Sequence, residues 1–222
     1  MDYKTWLNHE SKWMAGYRKK TMRQMKFVTT PIVALGLGVI MVIRNFGRDP
    51  EIMVEYFFGG FIGGLVLMGF VLLFMSMGLS RKRVTRGIED EVRELGLSPE
   101  QRDAMAQELS AVEGKEASHI SFTMNGPGLN GTPADVIVSR SYAMMLGGSP
   151  LVRIVRLSDV DHVEPGEEQK SATEYGGKTK TTTFFTLYTV NFIGKTKPLR
   201  GFGFLDKALR DKALGMIERQ LH

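Results

Sequence analysis

Residues 27–43 read FVTTPIVALGLGVIMVI and residues 56–80 read YFFGGFIGGLVLMGFVLLFMSMGLS, and neither run contains Asp, Glu, Lys or Arg. At the helical rise, the first run is roughly 26 Å long and the second roughly 37 Å, against a bilayer core of about 30 Å. Arg44 can extend the shorter span by snorkelling its charged head outward. A short polar connection, Arg44 to Glu51, lies between them. The pattern predicts a hairpin of two membrane-spanning helices over 27–80. A buried hairpin in a soluble protein is the alternative, and charge-free runs of this length argue against it.

Working outward, the 222-residue chain carries a net charge of +5 that is unevenly spread. Residues 1–26 hold seven Lys/Arg and two Asp/Glu, residues 27–80 hold two and three, and residues 81–222 hold twenty and nineteen. The basic balance therefore belongs to the N-terminal segment, and the large C-terminal part is nearly neutral. That excludes a nucleic-acid-binding expectation, which requires a basic patch on the folded domain. Absence of cysteine removes disulfides, thiol catalysis and zinc-thiolate sites together. Arg18, Lys19, Lys20, Arg23 and Lys26 precede the first span, and Arg81, Lys82, Arg83 and Arg86 follow the second. The positive-inside rule then puts both termini in the cytoplasm and 44–55 outside, in a multi-pass protein of the cell (inner) membrane. A cleaved signal peptide is not expected, because no small-residue cleavage site follows the apolar run.

Four segments follow: a basic amphipathic N-terminal segment (1–26), the hairpin (27–80), a helical linker (81–116) and a C-terminal domain (117–222). Within the first, Tyr3, Trp6, Leu7, Glu10, Trp13, Met14 and Tyr17 recur at three- and four-residue steps. Trp6, Trp13 and Tyr17 beside Arg18, Lys19 and Lys20 predict a helix at the headgroup boundary of an anionic leaflet. Docking of the same aromatic face on the protein's own soluble domain is the competing reading. In the hairpin, Gly59, Gly60, Gly63 and Gly64 make two overlapping G-x-x-x-G pairs, and Ala34 with Gly38 makes a small-xxx-small pair. Such pairs let another backbone approach closely, either the other helix of the same hairpin or a second chain. Met68, Met75 and Met77 are packing residues, and no ionisable group lies mid-span to relay protons.

The linker reads as two helices. Arg83–Leu95 ends at Gly96, and a second begins with Ser98 as N-cap, Pro99 at the first helical position and Gln101 closing a capping box. From Ala117 the apolar period changes to two. Strands are expected over His119–Met124, Ala134–Ser141, Tyr142–Leu146, Leu151–Leu157, Val160–Val163, Thr183–Phe192 and Pro198–Phe204. Glu167–Lys180 reads as a polar loop. Leu205–Leu221 reads as an amphipathic helix whose Leu205, Leu209, Ala213, Met216 and Ile217 share one arc. The expected fold class is a membrane α-helical hairpin plus a cytoplasmic α+β domain, its curved antiparallel sheet or barrel capped by that helix.

The run VIVSRSYAMM at 136–145, VRIVRLSDV at 152–160 and TLYTVNFIGK at 186–195, with the terminal helix, resembles the bacterial pleckstrin-homology-like domains found beside membrane helices. Many of those occur in proteins of unknown function. The resemblance covers about half the chain, from near residue 117 to the end. It implies a seven-stranded, helix-capped fold and a binding or scaffolding role, and it carries over no catalytic residue. It transfers no phosphoinositide site, because no early hairpin here holds a dense Lys/Arg cluster.

Other motif matches point away from chemistry. Gly126–Gly131 satisfies G-x-G-x-x-G, yet a strand rather than a helix follows it, so no dinucleotide is expected. Asp159, Asp161, His162 and Glu164 are ligand types, but strand geometry turns His162 away from both aspartates. His9, His119 and His222 have no carboxylate or serine partner at readable spacing. Lys178, Lys180, Lys195, Lys197 and Arg200 flank the last strands, facing either anionic lipid or solvent. The sequence therefore predicts no enzyme, no cofactor and no metal. It predicts a membrane-anchored binding or scaffold module. The alternative is an accessory subunit of a larger membrane complex such as a transporter. Partners are the lipid bilayer, a second copy or another membrane protein through the helices, and a protein or lipid ligand of the C-terminal domain.

Overall fold

The computed structural model describes residues 1–47, 49–78, 80–126, 131–147, 151–176, 179–196 and 199–221. It divides into two compact units, Lys12–Arg83 and the combination of Met1–Ser11 with Val84–His222.

In the first unit, helix α2 (Ala15–Gln24) passes through a π-helical turn (Met25–Thr29) into α3 (Thr30–Arg44). Pro31 explains the wide turn. It has no N–H to donate, and its ring would crowd the carbonyl one turn back. Thr30 instead reaches the Met25 carbonyl through both its backbone N–H and its hydroxyl, the latter at 2.8 Å. The Asn45 side chain closes α3 by donating to the Met41 carbonyl at 2.8 Å, and Gly47 turns the chain at φ +94°. Helix α4 (Pro50–Gly78) then runs for 29 residues, about 44 Å, and packs antiparallel along α3. Beyond Glu55 its sequence is apolar on every side.

The second unit is built on two antiparallel sheets. Strands β1 (His119–Met124), β2 (Thr132–Val138), β3 (Tyr142–Leu146) and β4 (Val152–Arg156) form a four-stranded meander. After a 3-10 turn at Leu157–Asp159, β5 (Val160–Gly176), β6 (Thr179–Gly194) and β7 (Phe202–Phe204) form the other sheet. Helix α7 (Lys207–Leu221) packs on β2, β5, β6 and β7. Asp206 caps it, accepting from the N–H of Ala208 at 2.7 Å. The core between sheets and helix contains Val136, Val138, Met145, Val155, Phe192, Phe202, Phe204, Met216 and Ile217. Leu205 precedes α7, and Arg210, on its inner side, is buried, donating to the Gly166 carbonyl at 3.1 Å.

Three expectations are corrected. From Val84 on, the residues expected as a linker over 81–116 belong to the α+β unit. Helix α5 (Arg81–Glu94) buries Val84, Ile88 and Val92, and α6 (Pro99–Val112) buries Met105, Ala106 and Leu109. The reason lies in the meander: β3 is buried at all five positions, so the sheet is apolar on both faces and needs a second cover. Gly87 permits the close approach, since a Cβ there would lie 3.0 Å from Val152. The local helix signals held, with Gly96 at φ +63° and the Ser98–Gln101 capping box formed.

The N-terminal helix is also different. It is broken into α1 (Tyr3–Glu10) and α2, and α1 lies on α6, with the Tyr3 N–H donating to Asp103 at 2.7 Å. Trp6 is 0% exposed, so it is a core residue and not a headgroup anchor.

Finally, within the expected loop Glu167–Lys180, residues 167–176 and 179–180 are strand, and 177–178 lie outside the described residues. After a register shift between Val160 and His162, β5 and β6 stay in continuous register out to Gly176↔Thr179, a two-stranded ribbon extending past β7. Its polar sequence is rich in β-branched Thr, which suits a pleated surface. Cross-strand bonds join Gln169 to Thr186 at 3.0 Å and Thr173 to Thr182 at 3.3 Å.

Trp6→Ala should cost about 3–5 kcal/mol in the unfolding of the α+β unit, the range for emptying a large buried site. Phe184→Ala, on the exposed ribbon, should change stability by less than about 0.5 kcal/mol. Denaturant melts of the full chain in detergent would read both. Equal effects would return Trp6 to the surface.

Candidate functional site

The hairpin seam is made of the smallest residues of each helix. Ala34 and Gly38 are the buried residues of α3, facing Gly60, Gly64 and Met68 at four-residue steps on α4. A Cβ on Gly64 would lie 2.7 Å from the Cα of Ala34, and one on Gly60 would lie 2.7 Å from the Leu37 carbonyl oxygen. A Cβ on Gly38 would meet the Phe57 ring at 2.9 Å. The two overlapping glycine pairs thus separate in space. Gly60 and Gly64 hold the helices together, whereas Cβ atoms on Gly59 and Gly63 would meet nothing within 4 Å among the described residues. Met77 is exposed.

At the N-terminal end of the same unit, Gly16, Lys19, Lys20, Arg23, Gln24, Phe27 and Val28 line an open groove of about 590 Å³. Lys19 and Lys20 are exposed, Tyr17 and Arg18 are half-buried, and Trp13 is half-buried. A cationic rim therefore borders the apolar surface that begins at Phe27. Arg44 is exposed at the far end of α3, and Arg48 lies outside the described residues.

In the α+β unit, a cleft of about 220 Å³ opens beside the edge strand β4, lined by Glu91, Leu95, Arg153, Arg156, Asp159 and Arg200 among others. Glu91 serves two donors: its carboxylate accepts from the Ile154 N–H at 3.0 Å and from Arg153 at 2.8 Å. Arg156 donates to the Leu95 carbonyl at 2.7 Å. Burial pushes the Glu91 carboxyl above its ordinary range, against the Ile154 N–H and Arg153. These bonds blunt the exposed edge of the meander and dock α5 on it. Glu91 and Arg156 are thus engaged within the chain, whereas the buried Nε of Arg153 has no hydrogen-bond partner among the described residues.

Tertiary pairing also brings together groups that sequence spacing left apart. His119 lies beside Asp135 and Ser121, a Ser–His–Asp set in composition. Its geometry is not that of a nucleophile. The Gly114 N–H donates to His119 Nδ1 at 2.7 Å, which leaves the proton on Nε2, and both Asp135 (3.3 Å) and Ser121 (3.2 Å) face that same nitrogen. The Ser121 hydroxyl bonds to Asp135, so no imidazole lone pair is free to take its proton. The cross-strand pair Ser121↔Asp135 is the signal that would have located this cluster. His9 also has carboxylate neighbours, Glu10 and Glu113. His162 bonds Asp161 through Nδ1 at 2.8 Å and Glu164 through Nε2 at 3.1 Å, so its two neighbours take opposite nitrogens and converge on no common point. His222, Lys178, Lys197 and residues 127–130 of the glycine-rich turn lie outside the described residues, and Lys180, Lys195 and Arg200 are exposed.

Two outcomes follow from this geometry. Gly60→Ile with Gly64→Ile should separate α3 from α4 and lower the detergent melting temperature. Gly59→Ile with Gly63→Ile should leave the hairpin intact. Like behaviour of the two pairs would remove the seam assignment. For His162, the bonds to Asp161 and then Glu164 raise the pKa above its ordinary 6.5. A raised histidine pKa contributes stability that is complete below the unfolded value and is lost as pH rises through the folded one. An NMR titration should put His162 above an unperturbed histidine, and Asp161→Asn should bring it down. No protein-family model, curated protein or solved structure matches the chain, so its function is argued from its own geometry.

Proposed function

We propose that this protein is a membrane-anchored, non-enzymatic binding or scaffold module. In this reading α3 and α4 cross the cell membrane as a hairpin with both termini cytoplasmic, and the α+β unit is a pleckstrin-homology-like domain that engages a protein or lipid ligand. The observation that carries it is the outward turn of the large apolar side chains. Phe27, Ile32 and Ile43 on the first helix and Phe58, Ile62, Phe70 and Phe74 on the second are each more than half exposed. Water-facing surfaces do not hold so continuous an apolar band, whereas lipid tails solvate it. Helix α4 is long enough to cross, and the π-helical turn with α3, 20 residues together, reaches about 30 Å. The basic rim of Lys19, Lys20 and Arg23 then meets anionic headgroups on the cytoplasmic side. Two antiparallel sheets of four and three strands with a C-terminal helix across them support the pleckstrin-homology-like assignment.

One observation favours a second reading, an accessory subunit of a larger membrane complex. Gly59 and Gly63 offer a small-residue face on α4 that the hairpin itself leaves uncovered. Native mass spectrometry of membranes would find a stoichiometric partner only in that case.

The chain has no cysteine, so single introduced thiols report topology without background. In intact cells, Asn45→Cys should react with a membrane-impermeant maleimide and Ser171→Cys should not. The opposite pattern would invert the orientation, and labelling of both would remove the membrane anchor.

A further inference from the structure

We propose that His9, Glu10 and Glu113 form a binding site for one divalent transition-metal cation of the Zn²⁺ type. Two elements of the α+β unit bring them together. His9 and Glu10 end α1, and Glu113 is the C-cap of α6, along which α1 lies. His9 Nδ1 is 3.6 Å from Glu10 Oε1 and 3.9 Å from Glu113 Oε2, and one ligand atom of each residue falls within 4.8 Å of the others. Ligands about 2.1 Å from a tetrahedral metal stand about 3.4 Å from one another, so a cation fits among these atoms with shifts of a few tenths of an ångström.

Glu10 is the independent sign of a missing ligand. The residue is 3% exposed, and its Oε1, the oxygen turned toward His9, has no hydrogen-bond partner among the described residues. A buried carboxylate oxygen without a donor is costly, and native structures rarely keep one without a reason. Burial first, and the neighbouring Glu113 second, push the Glu10 carboxyl up to about 7, while His9 opposes the shift. A divalent cation would supply the counter-charge and the missing partner at once. Two carboxylates neutralise it, and one imidazole with two carboxylate oxygens suits a borderline metal.

Access and support are both present. The His9 side chain is 58% exposed and that of Glu113 34%, so the open side admits the ion and leaves room for water ligands. Next to the site in the chain, His119 joins Asp135 to the N–H of Gly114, the residue after Glu113. These bonds fix the backbone that follows Glu113. Occupation would pin the end of α1 to the end of α6, at the point where the chain leaves this unit for the hairpin.

The test uses the full chain, purified in detergent and stripped with chelator. Zn²⁺ titrated by calorimetry should bind at one equivalent per chain and raise the melting temperature of the α+β unit, and Co²⁺ should give visible d–d absorption. His9→Gln and Glu113→Gln alter exposed side chains and should leave the apo fold unchanged while weakening Zn²⁺ at least about tenfold each. Glu10→Gln keeps the shape with a neutral amide, and it should retain the fold and lose the Zn²⁺-dependent rise in melting temperature. Absence of stoichiometric Zn²⁺ binding by the native chain overturns the proposal. So does affinity that is unchanged in both His9→Gln and Glu113→Gln, which would put the ion elsewhere, for example on Asp161 and Glu164.

Discussion

The α+β unit depends on one constraint: its four-stranded meander is apolar on both faces. A sheet with one apolar face needs one cover, and α7 with the second sheet supplies it through Val136, Val138, Met145 and Val155. The other face, carrying Ile137, Met144, Leu146, Val152 and Ile154, would be left in water. Burying it draws in α5 and α6, and α6 in turn supports α1 with Trp6 beneath it. The placement of the first eleven residues in the same unit as the last hundred and more follows from that double burial.

The hairpin solves the opposite problem. It has no bulky inner core; its contact surface is a narrow seam where backbones approach at Ala34, Gly38, Gly60 and Gly64. In the bilayer setting proposed for it, there is no hydrophobic gain from hiding one leucine against another, so close packing of small residues is what would hold the helices, with the large residues turned outward. The two units therefore use apolar residues in reverse: inside in one, outside in the other.

Polar groups in the α+β unit mostly answer structural needs. Glu91 satisfies an edge-strand N–H and a buried arginine together, and His119 anchors the end of α6 to β2 through Gly114 and Asp135. Glu10 differs from Glu91: it is a buried carboxylate whose Oε1 has no hydrogen bond among the described residues, as is also true of Trp6 Nε1, Arg153 Nε and Thr189 Oγ1. The half-buried Glu91 is a well-partnered carboxylate, and that difference sets the carboxylate at the α1–α6 junction apart.

The sequence by itself determined whatever is encoded over a few neighbouring residues. Two charge-free apolar runs mark the long helices, Pro31 marks the disturbed turn, and Ser98, Pro99 and Gln101 mark a helix start, because caps and periodicity act within one or two turns. Seven strands and a closing helix were legible from the period-two pattern. The Thr-rich ribbon was not, because polar β-branched residues carry no apolar alternation. What only the tertiary structure decided involves partners far apart in the chain. Tyr3 bonds Asp103 across 100 residues, and Arg153 meets Glu91 across 62. Local rules cannot distinguish Gly60 from Gly59 or Trp6 from Trp13, since each pair has the same neighbours in type. Which member is buried depends on the direction in which one helix meets another, and that direction is set by packing of the whole unit.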